Sequence, residues 1–117
     1  MTARRLQHVS VQIPPALLDE AVRFYGDGIG MEQIPNLAGA AWLRFGDGDH
    51  VHLLDGDGAP TSGAHLALQV DDLPAVLERL RDLGHVPVPG SDLWGAERWF
   101  CRDPGGNRVE MFTTPPE

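Results

Sequence analysis

The chain has 117 residues, enough for one domain, but either half is too short to bury a strong core unaided, so the halves must pack on each other or on a second chain. Its nine basic residues are all arginine and its net charge is −8, which argues against the broad basic surface that nucleic-acid binding requires. No apolar run approaches the roughly 20 residues of a membrane span, the start MTARRLQHVSV lacks a signal peptide's apolar stretch, and a single cysteine excludes an intrachain disulfide, so a cytoplasmic protein without membrane or nucleic-acid partners is expected.

In chain order, residues 6–13 alternate apolar and polar, with Val9, Val11 and Ile13 on one face, as a strand covered on one side does. Pro14 and Pro15 end it. Leu17, Leu18, Ala21, Val22 and Tyr25 then recur at helical spacing, predicting a helix over about 16–25 that Gly26 and Gly28 stop. Apolar runs at 31–34, 40–45 and 50–54, separated by Pro35-Asn36, Gly39 and the turn from Gly46 to Asp49, complete a βαβββ unit.

The second half repeats that order. A strand at 65–70 precedes a helix capped by Asp72, with Pro74 in its first turn, an apolar face of Leu73, Val76, Leu77, Leu80 and Leu83, and a stop at Gly84. Strands near 86–89, 97–102 and 108–112 follow, the last two joined by the turn signal from Asp103 to Asn107. One domain over 1–117 is expected, with module 1 at about 4–55, module 2 at about 63–114, and a Gly-, Pro- and small-polar linker over roughly 55–64.

The repeat is explicit. His8–Ile13 (HVSVQI) returns as His65–Val70 (HLALQV), and the segment from Trp42 to Leu54 returns as that from Trp99 to Phe112, with one extra residue assigned to the second copy's turn. His8 thus falls on His65, and His52 on Glu110. Strand alternation adds that Val9, Val51, Leu66 and Val109 face the helix, which turns His8, His52, His65 and Glu110 to the opposite, open face. Three imidazoles and a carboxylate suit a borderline divalent ion such as Zn, Ni, Co, Fe or Mn, and a six-coordinate ion would keep two positions for water or substrate. His50 and Arg108 form the next equivalent pair on that face and are candidate substrate contacts. Trp42 is expected there too, because Leu43 and Phe45 take the covered face, and Trp99 is expected to follow it. His85, beside Gly84, reads as structural or solvent-facing, and Cys101, between aromatic and charged neighbours, as a packing thiol.

His8, the pattern AVRFYGDGIGME, the segment from Gly63 to Asp71 and the segment from Asp103 to Glu110 together resemble the vicinal oxygen chelate superfamily over essentially the whole chain. That superfamily includes glyoxalase I, methylmalonyl-CoA epimerase, fosfomycin-resistance thiol transferases, extradiol dioxygenases and bleomycin-resistance binding proteins. The resemblance implies an α+β fold in which two βαβββ modules form a curved sheet around a metal cleft, with ligands from the first, fourth, fifth and eighth strands: His8, His52, His65 and Glu110. It also implies a homodimer, since small members commonly pair the first module of one subunit with the second of the other.

Departures narrow the reaction. Glyoxalase I and the epimerase typically carry Glu or Gln at the place of His52, so Glu110 would have to serve as ligand and base by turns. The fosfomycin enzymes match at His8, His65 and Glu110, but this chain has none of the lysines they use. Extradiol dioxygenases usually have twice as many modules. The bleomycin-binding members lack the ligands, although the acidic charge would suit a cationic drug. Two functions are carried forward. One is a divalent-metal enzyme of lyase, isomerase or dioxygenase type, acting on a small oxygenated metabolite or natural product, with Glu110 and His52 as catalytic residues and Trp42, Trp99, His50 and Arg108 against substrate. The other is a drug or natural-product sequestering protein of the bleomycin-resistance type.

Overall fold

Strand β1 (His8–Ile13) leaves His8, Ser10 and Gln12 exposed while Val9 and Val11 are half-buried and Ile13 is buried, the one-sided alternation expected of it. The computed structural model describes residues 2–35, 40–58, 64–91 and 96–114, so Asn36, Gly39, Gly63 and linker residues 59–63 lie outside the described residues. The chain continues through a 3-10 turn at Pro15–Leu17, helix α1 (Leu18–Arg23), and strands β2 (Glu32–Ile34), β3 (Ala41–Phe45) and β4 (Asp49–Asp55). Strand β5 (His65–Gln69), helix α2 (Leu73–Asp82) and strands β6 (Val88–Pro89), β7 (Arg98–Arg102) and β8 (Arg108–Phe112) form the second module.

Two four-stranded sheets result, ordered β1-β4-β3-β2 and β5-β8-β7-β6, with β1∥β4 and β5∥β8 parallel and the remaining pairs antiparallel. This is the two-module α+β architecture implied by the repeat. No helix among the described residues is long and apolar enough to cross a membrane.

The first helical segment runs past its expected end. After α1 it widens into a π turn over Phe24–Gly28, where Ile29 N donates to Phe24 O at 3.0 Å. Gly26 and Gly28 therefore lie inside the segment. Gly28 is there for space: a Cβ on it would come 2.6 Å from Leu80 Cδ2, so its absence lets α2 press against the π turn. The reversal comes at Gly30, whose φ of +97° favours glycine. Helix α2 begins as expected, with Asp72 Oδ1 accepting from Ala75 N at 3.1 Å and Gly84 following at φ +94°.

One core serves both modules. Ile13, Phe24, Tyr25, Leu43, Val51 and Leu53 of the first half join Leu77, Leu80, Val109 and Met111 of the second in a continuous apolar cluster. A polar clamp lies beside it. Tyr25 Oη donates to Asp103 Oδ2 at 2.6 Å, Asn107 N donates to Asp103 Oδ1 at 2.8 Å, and Asn107 Nδ2 reaches the β1 carbonyl of Gln12 at 3.0 Å. The β7–β8 turn is thereby fastened to β1 and the π turn. Gly58, at φ +102°, lets the chain after β4 pass so close that a Cβ would stand 2.4 Å from Gly105 O.

The registers also relocate the extra residue. Phe45 pairs with Asp49 across the first hairpin, and Asp103 N bonds Asn107 O at 2.9 Å across the second, so both hairpins have the same length and an offset of 58 holds through each. The insertion falls between β5 and β7.

Removing the clamp's amide should destabilise the protein more than loss of a surface bond. Asn107→Ala strips donors from a buried carboxylate and from Gln12 O, and a cost of about 2–3 kcal/mol is expected in urea unfolding, with Gly58→Ala also destabilising. Burial raises the Asp103 carboxyl above its ordinary 3.8, with donation from Tyr25 and Asn107 opposing the rise only in part. A group raised in the folded state contributes most below its unfolded value and loses that contribution as pH climbs through the folded one. The stability advantage of the parent over Asp103→Asn should therefore be largest below about pH 4 and shrink toward neutrality; unfolding free energies of both proteins across that range would check it.

Candidate metal and substrate site

Both sheets turn one face to their helix and leave the other open, and the registers order the open faces into rows. In the first module one row is Ser10, His52, Trp42 and Ile34, and its neighbour is His8, His50, Arg44 and Glu32. In the second module the corresponding rows are Ala67, Glu110, Phe100 and Val88, then His65, Arg108 and Arg102. The two-residue period of each strand carries these side chains to the same side.

The four expected ligands fall into two pairs, one per module. His65 Nε2 and Glu110 Oε1 lie 3.1 Å apart, and the carboxylate is 3 % exposed. His8 stacks on His52 with ring centroids 4.2 Å apart, and His52 stacks on Trp42 at 4.1 Å and 5°. His52 thus stacks on two rings through its faces, and at its edge Nε2 is 3.1 Å from His50 Nδ1. Burial, reinforced by the charges of His8 and His50, lowers the His52 pKa and favours the neutral imidazole that donates a lone pair. His8 Nδ1 bonds Gln7 Oε1 at 2.7 Å, which leaves Nε2 as its outward donor atom. Among the described residues of one chain, no three His, Cys, Asp or Glu side chains converge.

Trp42 stands on the open face beside His52, as expected of it. Trp99 does not stand on the open face of its own module. It pairs with Met111 on the helix-covered side, where the Arg81 guanidinium of α2 lies 5.6 Å from its ring and its Nε1 donates to Glu97 at 2.7 Å. The matching letter misled: with the offset at 58, the equivalent of Trp42 is Phe100, which pairs with Glu110 and meets the His65 ring at 5.6 Å. His50 and Arg108 do occupy equivalent positions, and the Arg108 guanidinium carbon sits 3.9 Å from the centroid of Phe100. His85 packs edge-on to Phe24 at 4.9 Å, a structural placement.

Arg98 was not singled out from sequence. Its Nη1 is 3.1 Å from the same Glu110 oxygen that His65 meets, while its Nε donates to Ser91 O. The alternation Arg98, Phe100, Arg102 in β7 was the available signal, since three such residues share one face and two arginines are poorly suited to a covered one.

Residues 5–111 match the family model of the Glyoxalase/Bleomycin resistance protein/Dioxygenase superfamily. The chain belongs to this superfamily. A solved glyoxalase family protein from Bacillus anthracis is 27 % identical, with 98 % of each chain covered and a TM-score of 0.83. The oxidase ChaP-H2 is 26 % identical, covering 98 % of this chain and 97 % of its own, at a TM-score of 0.77. FosX, the fosfomycin resistance protein of Listeria monocytogenes, shares the fold at 17 % identity and a TM-score of 0.79, with 97 % of this chain and 96 % of that one covered. No curated protein matches the chain.

Family members are typically metal-dependent, and the donor chemistry here suits a divalent ion. Two ligands bound at right angles, each about 2.1 Å from an ion, stand about 3.0 Å apart. The His65–Glu110 separation of 3.1 Å has that span; in the first module the atoms with that span are His50 Nδ1 and His52 Nε2, while His8 meets His52 as a stacked ring. Imidazole nitrogen with carboxylate oxygen is a borderline donor set that does not specify one transition metal.

Cys101, by contrast, is built to be inert. Burial, then the nearby Asp103 charge, raises its pKa to about 11, and it is 3 % exposed on the helix-side face. A thiol-disulfide reagent should label it only as fast as the protein opens globally, and labelling at the rate of the urea-unfolded chain would show otherwise.

Proposed function

We propose that the protein is a homodimeric metalloenzyme in which His8 and His52 of one chain and His65 and Glu110 of its partner hold one divalent ion, drawn from Zn, Ni, Co, Fe and Mn. The observation that carries this reading is the split of the donors into one pair per open face, while no group of three His, Cys, Asp or Glu side chains placed to hold a metal is found among the described residues of one chain. A ligand pair needs a second pair facing it, and a partner of twofold symmetry supplies one at each of two equivalent sites. The substrate class is a small oxygenated metabolite or natural product in the cytoplasm.

When bound, the ion acts as a Lewis acid toward vicinal oxygens of the substrate. Glu110 is held by Arg98 and His65 on one oxygen, so it is aimed before substrate arrives, and its carboxylate is the group that can take or return a proton. His52, neutral and clamped between Trp42 and His8, orients through its ring edge. The half-buried Trp42 ring supplies a flat wall for an unsaturated substrate. His50 and Arg108 flank the pairs and contact substrate. Likeness to an oxidase and to a glyoxalase family protein is compatible with either redox or isomerase-type use of these groups.

A second reading, a sequestering module for a drug or natural product, draws on the same Trp42 wall and the acidic net charge. Turnover of oxygenated substrates by metal-loaded protein separates it from the enzyme.

Elemental analysis of tag-free protein should find about one ion per chain, with His65→Ala and Glu110→Ala each losing most of it and His52→Gln retaining it, since Gln still offers a neutral donor. Full occupancy in both alanine variants would remove the site assignment. Refolding His8→Ala together with Glu110→Ala should regenerate one intact site per mixed dimer; a monomer by light scattering, or no recovery of metal, would refute sharing between chains.

A further inference from the structure

Superposing the two modules exposes a difference in charge pairing. In the first, Arg44 on β3 is neutralised by Glu32 on β2, its register partner, at 3.0 Å. In the second, the equivalent of Arg44 is Arg102 on β7. The β6–β7 register (Val88 with Phe100) places Val86, two residues earlier, at the position that corresponds to Glu32. A carboxylate has been replaced by an apolar side chain that is 78 % exposed. Beside Arg102 in the same row stands Arg108, and neither forms an ion pair among the described residues. In a chain of net charge −8, two such arginines side by side require an explanation.

The arginines line a cavity of about 450 Å³ together with Phe100, Val86 and Val88. The Arg108 guanidinium carbon lies 3.9 Å over the centroid of the Phe100 ring, and Arg102 Nη1 donates to Gly106 O at 2.9 Å. Both guanidinium groups are thereby positioned with donors to spare, and a guanidinium's planar fork matches an oxyanion in two parallel bonds. Val86 and Val88, both largely exposed, form an apolar border to the same cavity.

We propose that this cavity is an oxyanion subsite, in which Arg102 and Arg108 receive the carboxylate or phosphonate of a small ligand whose apolar body lies against the exposed Val86 and Val88. Phe100 shares its row with Glu110, so a ligand anchored here extends toward the His65–Glu110 pair. The assignment of that ligand as substrate rests on the functional reading above; the subsite itself does not.

The test uses the intact protein after chelator treatment, so that no ion contributes. Benzoate and phenylphosphonate are titrated calorimetrically, with benzyl alcohol as the neutral control. One or both oxyanions should bind and the alcohol should not, and the tighter of the two acids identifies the head group. Arg108→Gln should weaken binding about tenfold or more, the loss expected for one charge-assisted contact. Val86→Glu, at an exposed position, restores the carboxylate found in the first module without touching either arginine and should weaken binding by a similar factor. Arg23→Gln on α1 carries the same charge loss as Arg108→Gln and should change binding less than about twofold. Parent-like binding in both Arg108→Gln and Val86→Glu, equal affinity for the alcohol, or an equal loss in Arg23→Gln would overturn the subsite. Because chelated protein is used, failure of the metal assignment leaves this result intact; protein that holds an ion yet takes neither acid overturns the subsite alone.

Discussion

The buried contact among Tyr25, Asp103, Asn107 and the Gln12 carbonyl is the constraint on which the arrangement of the chain depends. Each module is too small to bury a core alone, and the apolar cluster that joins them is non-directional; it favours contact but selects no orientation. Directional bonds do select one. Tyr25 reaches Asp103 at 2.6 Å from the π turn, and Asn107 reaches β1 at 3.0 Å from the opposite module, so one sheet is fixed to the other at two points. The wide turn at Phe24–Gly28 and the missing Cβ of Gly28 belong to the same contact, because they let α2 and the first helical segment approach closely enough for it to form.

That constraint has a functional consequence. With helices and the clamp occupying the covered sides, each sheet presents an open face, and the donor pairs lie on those faces without meeting inside the chain. The buried polar atoms at the clamp are all satisfied among the described residues, so it is a settled structural contact rather than a reactive one. The candidate residues His52 and Glu110, by contrast, are buried yet sit on the open side with polar neighbours. On the proposed arrangement, a second chain supplies what the clamp withholds.

Much of this was legible in the sequence, and the exceptions have physical reasons. The alternation in β1, the Asp72 cap and the Gly84 stop are local signals, set by neighbours in the chain, and the structure has them where the sequence predicts them. The equivalence of His52 with Glu110 was readable because the repeat is strict around β4 and β8. Trp99 was misplaced because a matching letter outweighed register: a one-residue shift on a strand moves every side chain to the other face. Arg102 carried the warning, being ill suited to the covered face that the shifted alignment gave it. The helix end was misread because glycine both stops helices and admits close neighbours, and only the position of Leu80, far along the chain, decides between the two. Arg98 went unnoticed for a similar reason: its bond to Glu110 joins two strands, and nothing near it in sequence announces the partner.

The two copies share a backbone plan but differ in charge at three matched positions. His52 answers to Glu110, His50 to Arg108, and the Arg44–Glu32 ion pair to Arg102 beside Val86. Each replacement gives the second module a charge that the first lacks or neutralises: Glu110 for His52, Arg108 for His50, and Arg102 without the carboxylate that pairs with Arg44. An arrangement that sets one module against the other therefore joins unlike faces: a stacked, neutral imidazole and indole wall opposite a carboxylate bordered by guanidinium groups. On the proposed arrangement, a substrate between them would meet apolar contact on one side and ionic contact on the other, which would fix its orientation as two identical faces would not. Duplication accounts for the scaffold, and divergence at these few open-face positions makes its two open faces unlike.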